Sequence, residues 1–163
     1  MAPRDHDTSL TPSLLDRLTD LEPDRRTETP RRPWDIREDI RAALCGDLAD
    51  LLNVRRAEEA VDPLYRETAA SILSFGVADF TSYNLKNGIE QEMVRRSIEN
   101  AIRNFEPRLN CIAVALEPPD PLRPVLRFQI TSLLRIDPES EPVVFDAALQ
   151  RDSRRMAISG GAA

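Results

Sequence analysis

The sequence has few of the residues from which chemical sites are usually built. Its 163 residues include one histidine, two cysteines and five glycines, and only 5% of them are aromatic. The histidine, His6, lies in a polar N-terminal stretch, so a Ser–His–Asp or Cys–His nucleophile would have no histidine held in a fold. Cys45 and Cys111 are far apart and lack CxxC spacing, which predicts neither a disulfide framework nor a metal site. We therefore expect no metal, no cofactor and, without a Gly-rich loop, no phosphate-binding motif.

The sequence also has fewer basic than acidic residues. The chain has 22 basic and 28 acidic residues, with a formal net charge of -6, and phosphate binding needs a concentrated positive surface. Nucleic acid is therefore not expected as a partner. Lys86 is the only lysine, which reflects genome base composition, a preference for the bidentate contacts of arginine, or both. No apolar run approaches the roughly 20 residues that span a bilayer, and the first residues lack the apolar stretch of a signal peptide. We expect a cytoplasmic protein without membrane insertion.

Residues 1–34 have the composition of an extended arm. Five prolines stand there among many charged residues, a pattern that disfavours regular packed structure. One apolar island, residues 13–18, interrupts the arm, and Leu14, Leu15 and Leu18 would share one face of a short helix. So short a helix cannot bury three leucines alone, which predicts docking either onto its own domain or onto a partner. We expect these leucines to contact a neighbouring subunit.

Apolar residues at helical spacing predict two long helices in the first two thirds of the chain. They should cover residues 35–52 and 89–105. Between them, residues 63–80 should form a short helix and a turn, which Gly76 would end in a left-handed conformation. The predicted buried patch of that segment consists of Ala69, Ala70, Ile72, Leu73 and Phe75.

The rest of the chain predicts β-structure. Apolar residues alternate with smaller or polar ones in residues 112–116 and 125–136, and residues 143–149 would form the last of about three strands. The turn-linked order suggests antiparallel pairing. We predict an α+β fold, with two long helices and short helices packed on a small, mainly antiparallel sheet. The domain should span residues 35–150, and residues 151–163 should be a flexible tail.

The run Glu106-Pro107-Arg108-Leu109 joins the second long helix to the first strand. Leu109 can anchor it in the core, and Pro107 disfavours helical geometry at Glu106. Glu106 and Arg108 would then stand on a stiff connection, where charged groups lose little entropy on binding a partner. Taken alone, the pattern favours a helix-to-strand turn in which Glu106 contacts Arg108 or the backbone.

One enzymatic interpretation is a peptidoglycan hydrolase of the lysozyme type. Glu106 would be its general acid, with a second carboxylate such as Asp79 opposite, because glycosidases use two carboxylates across the scissile bond. Arg108 argues against this, since a nearby cation favours the charged form of a carboxylate whereas a general acid must keep its proton. The few aromatic residues also suit a sugar cleft poorly. We predict that the chain has no catalytic residues.

A series of segments matches one family in order and spacing. The most specific segment is Glu106-Pro107-Arg108-Leu109. The others are Ser13-Leu14-Leu15-Asp16-Arg17-Leu18, Leu51-Leu52-Asn53-Val54-Arg55-Arg56, Ser71-Ile72-Leu73-Ser74-Phe75-Gly76-Val77-Ala78-Asp79-Phe80 and Val143-Val144-Phe145-Asp146. Together they resemble the TssE family of type VI secretion baseplate proteins, relatives of the small wedge protein of contractile phage baseplates. The resemblance runs from about residue 13 to residue 149.

The resemblance implies an assembly role without catalysis. Members of this family sit in baseplate wedges beside TssF, TssG and TssK, in the cytoplasm near the inner face of the inner membrane. Their fold is similar to the sheath-protein domain through which sheath subunits interlock. The subunit would therefore serve as a first template for the polymerisation of the TssB–TssC sheath.

Three partner surfaces are expected on this basis. The wedge core of TssF and TssG would bind Glu106, Pro107, Arg108 and Leu109. A neighbouring subunit would contact Leu14, Leu15 and Leu18. The sheath would add a strand to a sheet edge at the strand that contains Val143, Val144 and Phe145.

Overall fold

The computed structural model describes residues 13–19, 23–24, 33–56, 62, 64–80, 83, 87–117, 126–136, 139–149 and 155–162. Its elements are α1 (Leu14–Leu18), α2 (Pro33–Asn53), α3 (Arg66–Ala69), a 3₁₀ turn (Ile72–Ser74), α4 (Gly88–Phe105), β1 (Leu109–Leu116), β2 (Leu126–Ile136), β3 (Glu139–Leu149) and β4 (Met156–Ala162). The helices precede the strands, so the predicted α+β class is confirmed. Of the predicted N-terminal arm, residues 1–12, 20–22 and 25–32 lie outside the described residues.

The four strands of the described residues form one antiparallel sheet in the order β1-β2-β3-β4. β2 and β3 pair along their full lengths without a register shift, and β4 pairs with residues 143–149 of β3. The sheet thus has one strand more than the predicted three. The additional strand, β4, lies in the segment that we expected to be a flexible tail. The prediction of 143–149 as the last strand is wrong for the same reason, because β3 is an inner strand.

One face of the sheet is buried beneath α2 and α4. Burial alternates along β2, where Phe128 and Ile130 are buried and Arg127 and Gln129 are exposed, as expected for a sheet covered on one side. The helices contribute Leu44, Leu48, Leu51, Leu52, Val94, Ile98, Ala101 and Ile102 to the same core. The domain therefore has two layers, helices above and sheet below.

The end of α2 is tied to β4. The helix begins at Pro33, two residues before the predicted start, because proline suits the first helical turn. It ends at Asn53, whose side-chain amide donates to the Met156 carbonyl at 3.0 Å. The Asn53 side-chain oxygen accepts from the Met156 N–H at 2.8 Å. This pair of bonds fixes the first residue of the edge strand to the helix.

The segment after α3 departs from its prediction. Ile72 and Leu73, expected in a buried patch, are 83% and 64% exposed. The 3₁₀ turn that carries them follows α3 directly in the chain and leaves these side chains outside the core. The predicted left-handed glycine is confirmed: Gly76 has a φ of 100°. A Cβ at this position would lie 2.5 Å from the Val54 carbonyl oxygen, so the close approach of these two chain segments needs glycine.

Helix α4 is capped at its start and hydrogen-bonded to β1 through Glu99. The Asn87 side chain accepts a hydrogen bond from the Ile89 N–H at 3.0 Å, a regular N-cap. Further along, Glu99 pairs with Arg95 and also accepts the N–H of Val114 in β1 at 3.1 Å. The Glu99 carboxylate therefore covers part of the outer edge of β1.

A bulge interrupts β1 shortly after its start. The register of β1 against β2 shifts between Asn110 and Ala113. Cys111, within the bulge, has a φ of 53°, which is an unfavourable backbone conformation for a residue with a Cβ. The irregular backbone begins two residues after Leu109 and was not predicted from the sequence.

Candidate functional site

The residues Glu106 to Leu109, called here the 106–109 turn, are fixed by backbone hydrogen bonds on both sides. The Glu106 N–H donates to the Ile102 carbonyl at 2.8 Å, and the Leu109 N–H donates to the Glu106 carbonyl at 3.2 Å. The Arg108 carbonyl accepts from the Arg135 N–H in β2 at 2.8 Å. Leu109 is buried and Pro107 is exposed. The turn is therefore a rigid connection, as the sequence predicts.

Glu106 and Arg108 form a two-point ion pair within the turn. Nε of Arg108 donates to Oε1 of Glu106 at 2.6 Å, and Nη2 donates to Oε2 at 2.5 Å. The Arg108 backbone N–H also donates to Oε1, at 3.2 Å. Glu106 is only 5% exposed, so its charge needs this partner inside the protein. The internal contact that the local pattern favours is present.

Asp47 of α2 approaches the same guanidinium from the other side. Its carboxylate accepts a hydrogen bond from Nη2 of Arg108. The pKa of Arg108 is raised, chiefly by the hydrogen bonds that it donates to Glu106 and with help from Asp47, while burial opposes the shift. Within the described part of the chain, Nη1 has no hydrogen-bond partner. The arginine is thus held in place with one nitrogen still able to donate.

An open pocket of about 500 Å³ lies beside the turn. Its lining consists of Ser13, Asp47, Asp50, Leu51, Phe75, Phe105, Glu106, Pro107 and Arg108. The rings of Phe75 and Phe105 meet edge to face, with centroids 5.2 Å apart and an interplanar angle of 71°. The pocket therefore combines an aromatic wall with a charged rim.

The chemistry available at this site is recognition through charge and shape. Both carboxylate oxygens of Glu106 are bonded to Arg108. Asp79, the second carboxylate of the hydrolase interpretation, lies 3.8 Å from Nε of Arg55. Among the residues that the structure describes, no group of three or more histidine, cysteine, aspartate or glutamate side chains could hold a metal ion.

The other predicted surfaces lie elsewhere. The leucines of α1 are 71–73% exposed, so the described part of the domain does not cover them. Val143 and Phe145 point into the core, and the backbone of their strand pairs with β2 on one side and β4 on the other. The expectation that this strand is a sheet edge is therefore wrong.

The sequence did not point to Asp47 or Asp50 as parts of the site. Both are exposed on α2, and Asp47 meets Arg108 across 61 residues of sequence. Residues three apart on a helix share a face, so their spacing predicts a local acidic pair. Nothing in that pattern indicates which distant segment lies opposite.

Comparison with known families agrees with this architecture. Residues 36–139 match the family described as baseplate wedge protein gp25. The match includes α2, α4, the 106–109 turn, β1 and β2. No curated protein matches the chain. In the described ranges, no helix is both long and apolar enough to cross a membrane. Because the matched region covers more than half of the chain, the protein belongs to the baseplate wedge protein gp25 family.

Proposed function

We propose that this chain is a structural wedge subunit of a type VI secretion baseplate and that its 106–109 turn binds the TssF–TssG wedge core. The observation that carries the proposal is the buried Glu106, which holds Arg108 through two hydrogen bonds. A charged group that is already fixed in place loses little side-chain entropy when a partner binds. Family membership supplies the baseplate context.

Nη1 of Arg108, which has no hydrogen-bond partner among the described residues, suggests what the turn contacts. Two carboxylates, Glu106 and Asp47, already surround the guanidinium. A third carboxylate would be repelled by them, whereas a neutral carbonyl would not. Unpaired carbonyls occur at the last turn of a helix. We therefore favour backbone carbonyls at a helix end of the wedge core as the acceptors for Arg108.

Co-purification tests this contact. The full chain would be co-expressed with TssF and TssG as wild type, Arg108→Ala and Arg103→Ala. Arg103 is a suitable control because it is an exposed arginine of the same helix–turn region whose one side-chain hydrogen bond within the described residues is to Asn100. We expect Arg103→Ala to be retained by the wedge core and Arg108→Ala to be lost.

A second variant separates binding from folding. Arg108→Ala leaves the buried Glu106 without its cation, which destabilises the turn. The double change Glu106→Gln with Arg108→Met removes both charges together and leaves no buried charge unpaired, since Asp47, the other partner of Arg108, is exposed. A folded double variant that still co-purifies with TssF–TssG would overturn the proposed contact.

We further propose that the subunit contacts TssK and templates the TssB–TssC sheath, at a baseplate on the cytoplasmic side of the inner membrane. Among the described strands, β4 has no strand on its outer side, although Asn53 bonds to its first residue and the Cys45 thiol bonds to the backbone of Gly160. The outer edge of β1 carries the Glu99 contact. Because β1 is also interrupted by a bulge, which disfavours pairing at a sheet edge, the β4 edge is the better candidate for strand addition.

A proline in β4 tests the sheath contact. Ser159→Pro removes the backbone N–H of a residue that pairs with Asp146 of β3 and so disrupts β4 as a strand, whereas Ser159→Ala keeps this N–H. We expect the proline variant to bind TssF–TssG and to fail in sheath assembly, and the alanine variant to support both. If sheath assembly survives in both variants, the sheath does not add its strand to β4.

The exposed helix α1 is proposed to dock on a neighbouring subunit. Leu14, Leu15 and Leu18 remain more than 70% exposed, and apolar side chains grouped in this way mark contact sites. Replacing the three leucines by serine should leave the melting temperature unchanged and weaken baseplate assembly. A large loss of thermal stability would indicate docking on the chain's own domain.

The alternative function is a peptidoglycan hydrolase with Glu106 as general acid. The engagement of both Glu106 oxygens by Arg108 speaks against it, because a general acid must present its proton to the substrate. A cell-wall turnover assay of wild type and Glu106→Gln decides the matter. Turnover by the wild type that the substitution abolishes would establish the enzyme and contradict our proposal.

A further inference from the structure

We infer that the pocket beside the 106–109 turn receives a basic side chain of the partner, held by Asp50 and Asp47. The inference rests on the proposed function, since it describes the same docking site. It reverses the simplest view of that site, in which Arg108 is the charge that recognises an acidic partner.

The balance of charge at the pocket is negative. Three carboxylates, those of Asp47, Asp50 and Glu106, line it together with one guanidinium. Arg108 is occupied by Glu106 and Asp47. Asp50 is exposed and takes part in no ion pair with any other residue of the described chain. A cation is therefore the group that complements this rim.

The shape of the pocket suits the stem of a long basic side chain. Leu51 and the edge-to-face rings of Phe75 and Phe105 supply its apolar lining. Lysine and arginine bury their aliphatic stems against such surfaces while their charged ends stay at the rim. Arginine suits it better, because its planar group can bond two carboxylates and stack on an aromatic ring.

The same partner element can satisfy Arg108. Nη1 of Arg108 can donate to carbonyl groups, and the last turn of a helix presents such carbonyls. Basic residues are favoured in that last turn because they offset the negative end of the helix dipole. We therefore identify the occupant as the C-terminal turn of a partner helix that carries an arginine or lysine.

The experiment compares affinities of full-length variants for the purified TssF–TssG complex. Asp50→Asn removes the charge with little change of shape, and Asp50→Lys reverses it. Glu38→Gln is the matched control, an exposed acid on α2 about three helical turns before Asp50. We expect Asp50→Asn to bind about 5-fold more weakly and Asp50→Lys at least 20-fold more weakly, while Glu38→Gln binds as wild type.

Salt dependence and Arg108→Ala make the outcome specific. Asp50→Asn should also flatten the dependence of affinity on salt, because one ion pair is lost. Unchanged affinity of both Asp50 variants would overturn the inference. If Arg108→Ala abolishes binding while Asp50→Lys does not weaken it, the partner has no basic side chain in the pocket, and the 106–109 turn is still the docking site.

If Arg108→Ala binds normally, the proposed function itself fails. A dimer of the chain alone that Asp50→Asn dissolves would also overturn the inference, since a second copy would then be the occupant.

Discussion

In two connecting segments of this protein, the burial of the side chains is the opposite of what their polarity predicts. The 106–109 turn is charged, yet Glu106 is buried and the backbone is bonded on both sides. Residues 64–73, called here the 64–73 segment, are apolar at several positions, yet Leu64 and Ile72 are more than 80% exposed. The contrast shows that in these connecting segments the burial of a side chain depends more on its charged partner and on nearby backbone hydrogen bonds than on its hydropathy.

The physical reason is the position of each anchor. The 106–109 turn lies between α4 and β1, and Glu106 brings its own cation two residues away. The 64–73 segment is joined to the core only after it ends, at Gly76 and Val77, where the Val77 N–H bonds to Val54 at 3.0 Å. The side chains of the 64–73 segment precede this hydrogen bond, and most of them are not covered by the described helices or strands.

Substitution of Gly76, where the chain passes close to Val54, should give the largest loss of stability. Gly76→Ala puts a Cβ against the Val54 carbonyl at a positive φ. We expect it to lower the free energy of unfolding by roughly 2–4 kcal/mol, measured by urea denaturation. Gly46→Ala is the control, because no described atom outside the adjoining backbone of α2 lies within 4 Å of its Cβ position. That variant should gain about 0.5–1 kcal/mol, and similar losses in both would refute the anchor.

Breaking the ion pair of the 106–109 turn should rank second. Arg108→Ala leaves Glu106 buried and unpaired, and we expect a loss of about 1–3 kcal/mol. The value lies below that of a fully buried pair because the Arg108 side chain is 30% exposed. The double variant Glu106→Gln with Arg108→Met should lose less. A double-mutant cycle in urea measures the coupling, and strict additivity would mean that the pair contributes nothing.

The strained residue after the turn offers a gain of stability. Cys111→Gly relieves the positive φ in the β1 bulge. The expected increase in the free energy of unfolding is about 0.5–1 kcal/mol. Cys111→Ala keeps the unfavourable conformation and loses only an exposed thiol, so it should leave the melting temperature unchanged. An equal gain in both variants would show that the backbone is not the cause.

The smallest effect is expected in the 64–73 segment itself. Ile72→Ser and Leu73→Ser change exposed side chains and should alter stability by less than about 0.5 kcal/mol. Val77→Ser, only a few residues later at a buried position, should lose considerably more. Thermal unfolding of the three variants is sufficient, and a large loss in Ile72→Ser would restore the buried patch that the sequence predicts.

Much of the fold was predictable because it follows from regular spacing. The periods of α2, α4 and β2 run over many residues, and a tight turn at Gly76 is a local requirement of the chain. The fourth strand was missed because its Gly160 resembles a sign of fraying. In the structure, a Cβ on Gly160 would lie 2.9 Å from Sγ of Cys45, so that glycine serves close packing.

The candidate site was predictable only in its local part. The rigid turn and the Glu106–Arg108 contact follow from four adjacent residues. The contribution of Asp47 depends on how α2 lies against the turn, which no spacing within either segment specifies. The free edge of the sheet likewise depends on strand order, and strand order is a property of the whole sheet.

Hydrogen exchange tests the central claim most directly. The full chain would be measured free and in complex with TssF–TssG, with peptides that report the 106–109 turn, residues 47–53 of α2 and the 64–73 segment. We predict that complex formation slows exchange at the turn and at the end of α2. A stable complex that slows exchange elsewhere and leaves these two segments unchanged would contradict the account.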